Sequence, residues 1–271
     1  MLEIDCPTVA SVLIHFIRDS IRKNGFANGI TGVSGGLDSA VVLALTRRAL
    51  GRAHVKALLM PYRLSNKESH RHGKLICERL GVDYTVVDIS PSVDAYFQHF
   101  PSDNRLLIGN KCARERMAVL YDFSARQRAL VVGTSNKSEL LVGYSTQFGD
   151  AAAAFMPLGD LYKTQIYQLA RHLRIPEEII AKPPTADLWP GQTDEGEIGV
   201  SYRTLDEILY RMIDQRHGEA ELRTLGYPLK TVRRIKQMII RSQFKRTMPP
   251  IAKINPRTIG LDFRYPRDWN R

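Results

Sequence analysis

The stretch Val33-Ser34-Gly35-Gly36-Leu37-Asp38-Ser39 decides the fold of this 271-residue chain. It follows a short apolar run and leads directly into the apolar residues 40–45, which predicts a strand, a tight turn and the start of a helix. Adjacent glycines allow a turn with positive φ and a close approach to a ligand. The free N–H groups and positive dipole end of the helix would face that ligand, so the stretch predicts a phosphate-binding loop.

Three polar side chains extend this interpretation. Ser34 and Ser39 add hydroxyl donors, and Asp38 is a carboxylate placed to hold a magnesium ion beside the phosphates. No Gly-Lys-Ser/Thr sequence closes the loop, so chemistry other than γ-phosphate transfer is expected. The alternative is an ordinary Gly-Ser turn in which Asp38 or Ser39 only caps the helix.

Composition and charge limit the classes of protein to consider. The chain is 44% hydrophobic and 25% charged, as in soluble globular proteins, and its length suits one large α/β domain or such a domain with a helical extension. Of the net charge of +11, residues 221–271 contribute thirteen Lys/Arg against three Asp/Glu. This basic region suits an anionic substrate, a partner subunit's phosphate site, nucleic acid, or merely a solvated helix face.

The cysteines and the N-terminal residues indicate a cytoplasmic protein. Cys6, Cys77 and Cys112 have no metal-site or CxxC spacing, which argues against a disulfide scaffold, a zinc site and a redox motif. Glu3 and Asp5 stand where a signal peptide would begin, and no apolar run reaches membrane-spanning length. We therefore expect no membrane segment.

Apolar runs alternate with helical patterns, which predicts βαβ units and an α/β fold with a doubly wound parallel sheet. Ligands of such sheets lie beyond the carboxyl ends of the strands, where the strand order reverses. The predicted strands are 29–33, 54–60, 84–89 and 129–133. The predicted helices are 8–23 with Thr8 as its cap, 38–50, 65–81, 91–100, 110–126, 164–173, 204–217 and 228–241.

We expect a single domain over residues 1–271. Its sheet core spans about 29–175, and a long loop rich in Pro, Gly and acids spans about 183–202. Additional C-terminal helices and a basic tail occupy 203–271, with the tail extended because of Pro249, Pro250, Pro256 and Pro266. The long loop is either a lid over a bound nucleotide or a disordered surface loop.

The Ser-Gly-Gly-x-Asp-Ser loop resembles the signature of the N-type ATP pyrophosphatases, which split ATP between its α and β phosphates and adenylate an oxygen. Further stretches, in order and spacing, are similar to the ammonia-dependent NAD synthetase family. They are residues 133–139, 143–146, 149–150, 161–164, 182–188 and 191–195. The resemblance runs from about residue 8 to Pro250.

This resemblance implies an adenine nucleotide α-hydrolase-like fold and an AMP-forming amide ligase. The nicotinate carboxylate of deamido-NAD would attack the ATP α-phosphate, pyrophosphate would leave, and ammonia would displace AMP to give NAD. The implied cofactor is Mg²⁺, with ATP as co-substrate, and the implied assembly is a homodimer. We expect free ammonia or a separate glutaminase to supply the nitrogen.

The resemblance also implies roles for individual residues. Lys163 would neutralise phosphate charge as pyrophosphate departs, and Asp150 would orient ammonia or accept its proton, unless it only solvates a turn. Arg116 receives no role, because its position also suits a surface charge paired with Glu115 or Asp122. The implied ATP-binding residues are Val33, Ser34, Gly35, Gly36, Ser39, Thr134, Lys163 and Thr185; the magnesium ligands are Asp38 and Glu139; the deamido-NAD-binding residues are Arg114 and Lys245.

Three positions depart from the family pattern, and all are implied to contact deamido-NAD. Gln147 stands for the usual lysine, Ala154 for an aspartate and Phe244 for a histidine. Loss of the lysine and the aspartate together predicts that a neutral, more apolar wall replaces an ion pair. Either the enzyme holds deamido-NAD differently, or it amidates a different carboxylate.

Two other classes of protein stay open at this point. A tRNA-modifying adenylase is favoured only by the basic C-terminus. It is disfavoured by the missing cysteine pair and by the lack of aromatic residues between the charges, so nucleic acid is not the expected partner. A nucleotide-binding module without catalysis is compatible with the three departures, although both implied metal carboxylates are retained.

Overall fold

A computed structural model describes residues 2–189 and 191–265, and a four-stranded parallel sheet lies at its centre. In the sheet, Ile30 is paired with Lys56 on one side and with Val131 on the other. The strands are β1 (Asn28–Gly32), β2 (Val55–Leu59), β3 (Tyr84–Val86) and β4 (Ala129–Val131), in the spatial order β3-β2-β1-β4. The order reverses between β1 and β4, which confirms the predicted doubly wound sheet.

Helices cover both faces of the sheet, so the core has two layers. The helices are α1 (Cys6–Arg22), α2 (Leu37–Leu50), α3 (Lys67–Leu80), α4 (Ser90–His99), α5 (Arg105–Arg126), α6 (Lys137–Val142), α7 (Lys163–His172), α8 (Glu177–Ile180), α9 (Asp194–Ile198), α10 (Tyr202–Leu209), α11 (Glu219–Thr224) and α12 (Leu229–Arg241). One apolar cluster joins α1, α2, α3, α7 and α8 to the sheet, and a second joins α4 and α5 to its other face. Residues 40–45 of α2 are all buried, because this helix lies between the sheet and other helices.

Helices α1 and α5 begin earlier than predicted, for different reasons. The prediction that Thr8 caps α1 is wrong, because this helix begins at Cys6. Pro7 lies in the first turn, where a backbone N–H would have no partner within the helix, so the proline costs no hydrogen bond. The Thr8 hydroxyl instead donates to the Asp5 carboxylate. Helix α5 begins five residues before the predicted start, because the Asn104 side chain accepts hydrogen bonds from the first N–H groups of the helix.

The C-terminal third is more helical than predicted. The prediction of a loop over 183–202 is partly wrong, since α9 lies within it, and α8 and α11 were not predicted. Helix α10 continues as a π-helix over Tyr210–Asp214. A third apolar cluster packs α10 and α12 against α6, and this packing supplies the stability that these short helices lack alone.

Residues 247–265 of the tail contain no helix, but the prediction of an extended tail does not hold over 258–263, which form a turn with an isolated bridge between Ile259 and Phe263. Pro190 of the predicted loop and Pro266 of the tail lie outside the described residues. Within the described part of the chain, no helix is both long and apolar enough to cross a membrane.

Candidate active site

A cavity of about 680 Å³ lies at the carboxyl ends of β1, β2 and β4, within the size range of ligand pockets. Its walls come from the 33–39 loop, the segments after β2 and β4, one side of α5, the start of α7, residues 182–189, and Gln192 and Asp194. The predicted site residues that line it are Val33, Ser34, Gly36, Asp38, Ser39, Thr134, Glu139, Asp150, Lys163, Thr185 and Lys245. Gly35 and Arg114 do not line it.

The 33–39 loop has the geometry of an anion cradle. Gly35 has a φ of +77°, and a Cβ atom there would lie 1.9 Å from the Ser69 carbonyl oxygen of α3, so only glycine fits. The Ser34 and Ser39 hydroxyl oxygens are 3.1 Å apart. Because Gly36 is the N-cap of α2, the first N–H groups of that buried helix are directed at the cavity.

Lys163 joins the two predicted metal carboxylates. Its ammonium group forms an ion pair with Asp38 and lies 3.7 Å from Glu139 Oε1, with the lysine side chain almost fully buried. Burial alone would lower the pKa of Lys163, but the fields of Asp38 and Glu139 outweigh it and raise the pKa. Burial and the nearby Asp38 raise the pKa of Glu139 to about 8.

Hydrogen bonds from buried polar groups position this charged cluster. Asp206 is fully buried and accepts hydrogen bonds from the Ser138 hydroxyl of α6 and from the Thr164 N–H of α7, the latter at 2.8 Å. Ser138 Oγ in turn accepts from the Lys163 N–H at 3.0 Å. The helices that carry Glu139 and Lys163 are therefore fixed to one another by Asp206.

Asn136 connects the start of α6, which carries Glu139, to the Asp38 carboxylate. Its side-chain oxygen accepts from the Glu139 N–H at 3.0 Å and so caps α6, while its amide nitrogen donates to Asp38 Oδ1 at 3.3 Å. The two carboxylates face one cation, which is the ammonium of Lys163. Mg²⁺ beside substrate phosphates also uses one or two carboxylates, so Asp38 and Glu139 fit such an ion. Among residues 2–189 and 191–265, no group of three or more His, Cys, Asp and Glu is arranged to hold a metal.

Asp194, which the sequence prediction did not assign, borders this cluster. It is buried at the start of α9, and its field acts on Lys163. Its Oδ2 accepts from the Tyr202 hydroxyl at 3.2 Å, whereas its Oδ1 has no partner within the described residues. Its inclusion in the 191–195 motif was the only sequence signal for it.

Three other cations that line the cavity are held by neutral groups. Lys245 donates to the carbonyl oxygens of Gly143 at 2.7 Å and Ser145 at 2.6 Å. Lys182 donates to the Ser69 hydroxyl. Burial lowers the pKa of both Lys182 and Lys245, because the few carboxylates near them only partly offset the desolvation of the charge.

Arg116 belongs to this group, and neither carboxylate considered in the sequence analysis pairs with it. Glu115 pairs with Lys111 at 2.8 Å, and Asp122 pairs with Arg126 at 2.7 Å. Arg116 instead lines the cavity. Every third or fourth residue from Asn110 to Leu120 lines it too, a helical spacing that could have indicated the orientation of Arg116.

Asp150 lines the cavity, and its side chain is exposed to it. Its Oδ1 accepts from the Thr146 N–H at 2.7 Å, which fixes the carboxylate. Burial raises the pKa of Asp150 despite that hydrogen bond and the fields of Lys245 and Arg116. A carboxylate with a raised pKa beside a cavity is suited to accepting a proton.

Arg114 and the three departures lie elsewhere. Arg114 is exposed, and its Nε donates to the carbonyl oxygen of Gln147 at 3.3 Å. The Ala154 N–H donates to the Val131 carbonyl, and the Phe244 side chain is largely exposed. None of the three departures lines the cavity, so the predicted apolar wall is not part of it within a single chain.

The sequence and the fold were compared with those of known proteins. The sequence model of the family described as NAD synthase matches residues 9–249. The NH(3)-dependent NAD(+) synthetase of Trichlorobacter lovleyi is 51% identical over 270 residues, which cover 100% of this chain and 99% of that protein.

Two solved structures share the fold over their whole length. The NH3-dependent NAD synthetase from Campylobacter jejuni, in complex with the nitrate ion, gives a TM-score of 0.80 at 35% identity, covering 93% of this chain and 100% of the other. An NMN synthetase from Francisella tularensis gives a TM-score of 0.83 at 29% identity, with the same coverage of 93% and 100%.

Proposed function

Because this chain belongs to the NAD synthase family, we propose that it is an ammonia-dependent NAD synthetase with an adenine nucleotide α-hydrolase-like fold. It adenylates the nicotinate carboxylate of deamido-NAD with ATP and transfers ammonia to it, giving NAD, AMP and pyrophosphate. Identity of 51% over the whole chain carries this assignment and favours deamido-NAD over another carboxylate. The retained cluster of Lys163, Asp38 and Glu139 favours an enzyme over a binding module.

ATP binding follows from the walls of the cavity. Val33, Ser34, Gly36, Ser39, Thr134 and Thr185 line it and bind ATP, with Gly35 giving the loop its shape. Asp38 and Glu139 would hold Mg²⁺, which would supply positive charge to the phosphates. Lys163 neutralises the negative charge that develops on pyrophosphate as the bond to the α-phosphorus breaks.

The acceptor side takes deamido-NAD and ammonia. Asp150 accepts the proton that ammonia loses as its nitrogen bonds to the carbonyl carbon of the adenylate and AMP leaves. Lys245 is directed into the cavity and binds an anionic group of deamido-NAD. Arg114, on the outer side of α5, is placed to bind deamido-NAD that extends beyond the cavity.

Residues 183–202 serve as a lid on a single NAD synthetase-like domain. The Asn66 N–H at the start of α3 donates to Asp187 Oδ1 at 3.1 Å. Leu188 packs so closely on Gly109 of α5 that a Cβ atom on the glycine would lie 2.8 Å from it. The segment thus bridges two helices across the cavity and would protect the adenylate from water.

The chain works as a cytoplasmic homodimer, without nucleic acid or membrane as a partner. Exposed apolar side chains near the start of α5, Leu106 and Leu107, lie on the same helix as the exposed Arg114 and support a subunit interface there. All three cysteines are free, as expected in a reducing compartment. Light scattering tests for twice the chain mass of 30.7 kDa.

The function is tested with purified protein, ATP, Mg²⁺, ammonia and deamido-NAD, following AMP and NAD together. We expect equal amounts of both products. Nicotinate mononucleotide is the competing acceptor to assay, because the fold is also shared with an NMN synthetase. AMP formed only with another carboxylate would refute deamido-NAD as the acceptor but keep the adenylation chemistry. No AMP with any acceptor would favour a nucleotide-binding module.

A further inference from the structure

Arg116 is a cavity-lining cation that forms no ion pair within the described residues. Its Nε donates to the Met60 carbonyl oxygen at 3.0 Å and its Nη2 to the Ser65 hydroxyl at 3.3 Å, both just beyond the end of β2. Both acceptors are neutral. Within residues 2–189 and 191–265, no carboxylate oxygen lies within 4.0 Å of the guanidinium, and Nη1 donates no hydrogen bond. The group is therefore fixed in place but still has N–H groups for a ligand.

A partly buried guanidinium without an ion-pair partner is unfavourable, which indicates that a ligand completes the site. Burial lowers the pKa of Arg116, yet a guanidinium stays charged at neutral pH. A desolvated charge without a counter-ion destabilises a folded protein. An anion bound at the guanidinium would recover that cost, and a phosphate or carboxylate suits its planar fork.

The position of Arg116 within the cavity identifies the anion. Lys163 with Asp38 and Glu139 forms one charge centre next to the 33–39 loop, where pyrophosphate departs in the proposed reaction. The carboxylates whose fields reach Arg116 are instead Asp187 and Asp150, and Asp150 is the carboxylate that serves the acceptor in the proposed reaction. The α-phosphate is the group of ATP that lies between the leaving pyrophosphate and the attacking carboxylate.

From this placement we propose that Arg116 binds a nonbridging oxygen of the ATP α-phosphate, as a substrate-binding residue of the proposed synthetase. A carboxylate oxygen of nicotinate bonds to the α-phosphorus, the bond to the bridging oxygen breaks, and its electron pair leaves with pyrophosphate. Arg116 donates hydrogen bonds to the α-phosphate in ATP and in the adenylate, and transfers no proton. Met60 and Ser65 hold one edge of the guanidinium so that the other faces the phosphate.

The test compares Arg116→Met and Arg116→Lys with Arg126→Met, a control on the same helix that removes an exposed arginine outside the cavity. Calorimetry measures binding of AMP, which carries the α-phosphate, and of pyrophosphate, which does not. Loss of charged hydrogen bonds should weaken AMP binding of Arg116→Met about ten-fold or more, with pyrophosphate binding changed less than about two-fold. Arg116→Lys should lie between this variant and the parent protein for AMP.

Turnover provides a second comparison. In Arg116→Met, kcat/KM for ATP should fall roughly 100-fold while KM for deamido-NAD changes less than about three-fold. Unchanged AMP affinity, or equal losses for AMP and pyrophosphate, would overturn the proposal. A rise confined to KM for deamido-NAD would overturn it too, and would assign Arg116 to the acceptor.

The binding measurements separate this proposal from the proposed function. If the parent protein binds AMP but makes no NAD, the function fails while the AMP comparison still decides the role of Arg116. Melting temperatures identify a variant that does not fold. Should Arg116→Met be such a variant, Arg116→Lys decides the matter, with weakened AMP binding expected and parent-like binding contradicting the proposal.

Discussion

The cations of the cavity fall into two groups that are held in different ways. Lys163 is paired with Asp38 and Glu139, and its pKa is raised because the two carboxylates outweigh its burial. In the second group, burial lowers the pKa values of Arg116, Lys182 and Lys245, whose hydrogen bonds go to carbonyl and hydroxyl groups.

This difference shows what each group of cations requires from its ligand. A self-neutralised cluster gains from a ligand that brings both a cation and an anion, as Mg²⁺ with ATP does. Cations without counter-charges gain from an anion alone, such as a phosphate or a carboxylate. Variants of the paired cluster of Lys163, Asp38 and Glu139 should therefore affect turnover most. Variants of the unpaired cations should act mainly on substrate binding.

The largest expected effect is from Asp38→Ala. Losing a carboxylate of the paired cluster should lower kcat roughly 1,000-fold, because the charge on the departing pyrophosphate is no longer stabilised by a correctly held cation. Steady-state AMP formation measures this. Asp38→Asn keeps the size of the side chain and should lose nearly as much, whereas near-normal turnover of either variant would remove Asp38 from the site.

Lys163→Met should lower kcat roughly 100-fold, since the buried ammonium is absent when pyrophosphate leaves. Lys137→Met is the matched control: Lys137 also opens a helix and pairs with carboxylates, Asp160 and Asp214, but does not line the cavity. The control should keep its kcat. Equal losses in the two variants would mean that Lys163 acts only through stability, which their melting temperatures would show.

The pH dependence of kcat tests the role of Asp150. As the proton acceptor, Asp150 must be ionised. Because its pKa is raised, it becomes protonated at a pH above the ordinary aspartate pKa of about 3.9. Hence kcat should fall as the pH drops through that raised pKa. Asp150→Asn should lower kcat about 100-fold near pH 8 and remove this acid limb. An acid limb that persists in the variant belongs to another group.

The smallest effect is expected among the unpaired cations. Lys245→Met should raise KM for deamido-NAD about ten-fold with little change in kcat, because it loses a charged hydrogen bond made equally before and during reaction. Lys253→Met, which removes a tail lysine paired with Asp262, is the control and should behave like the parent protein. If kcat of Lys245→Met fell as far as that of Lys163→Met, the distinction between paired and unpaired cations would not hold.

Local patterns predicted much of the fold. The alternation of apolar runs and helices placed the four strands to within three residues at each end, because each βαβ unit is built from neighbouring segments. Helix caps were less well predicted. Asn104 was overlooked as the cap of α5, and α9 was taken as loop because Gly191 and Gly199 bracket only five helical residues.

The orientation of α5 shows where sequence reasoning stopped. Arg114 and Arg116 are two residues apart, so they lie on different sides of the helix. Apolar residues occur around most of α5, and no single stripe marks the buried side. Packing of α5 against β1 and β4 decides that Arg116 faces the cavity and that Arg114 is exposed.

The sequence by itself determined the parallel α/β fold, the glycine turn of the 33–39 loop and the family, because these depend on local conformation and on ordered motifs. Only the tertiary structure decided how the charges are paired. Asp38 and Lys163 are 125 residues apart, and their ion pair exists because α2 packs against α7. Whether a cation is neutralised or left for a ligand depends on neighbours from distant segments, which no local pattern records.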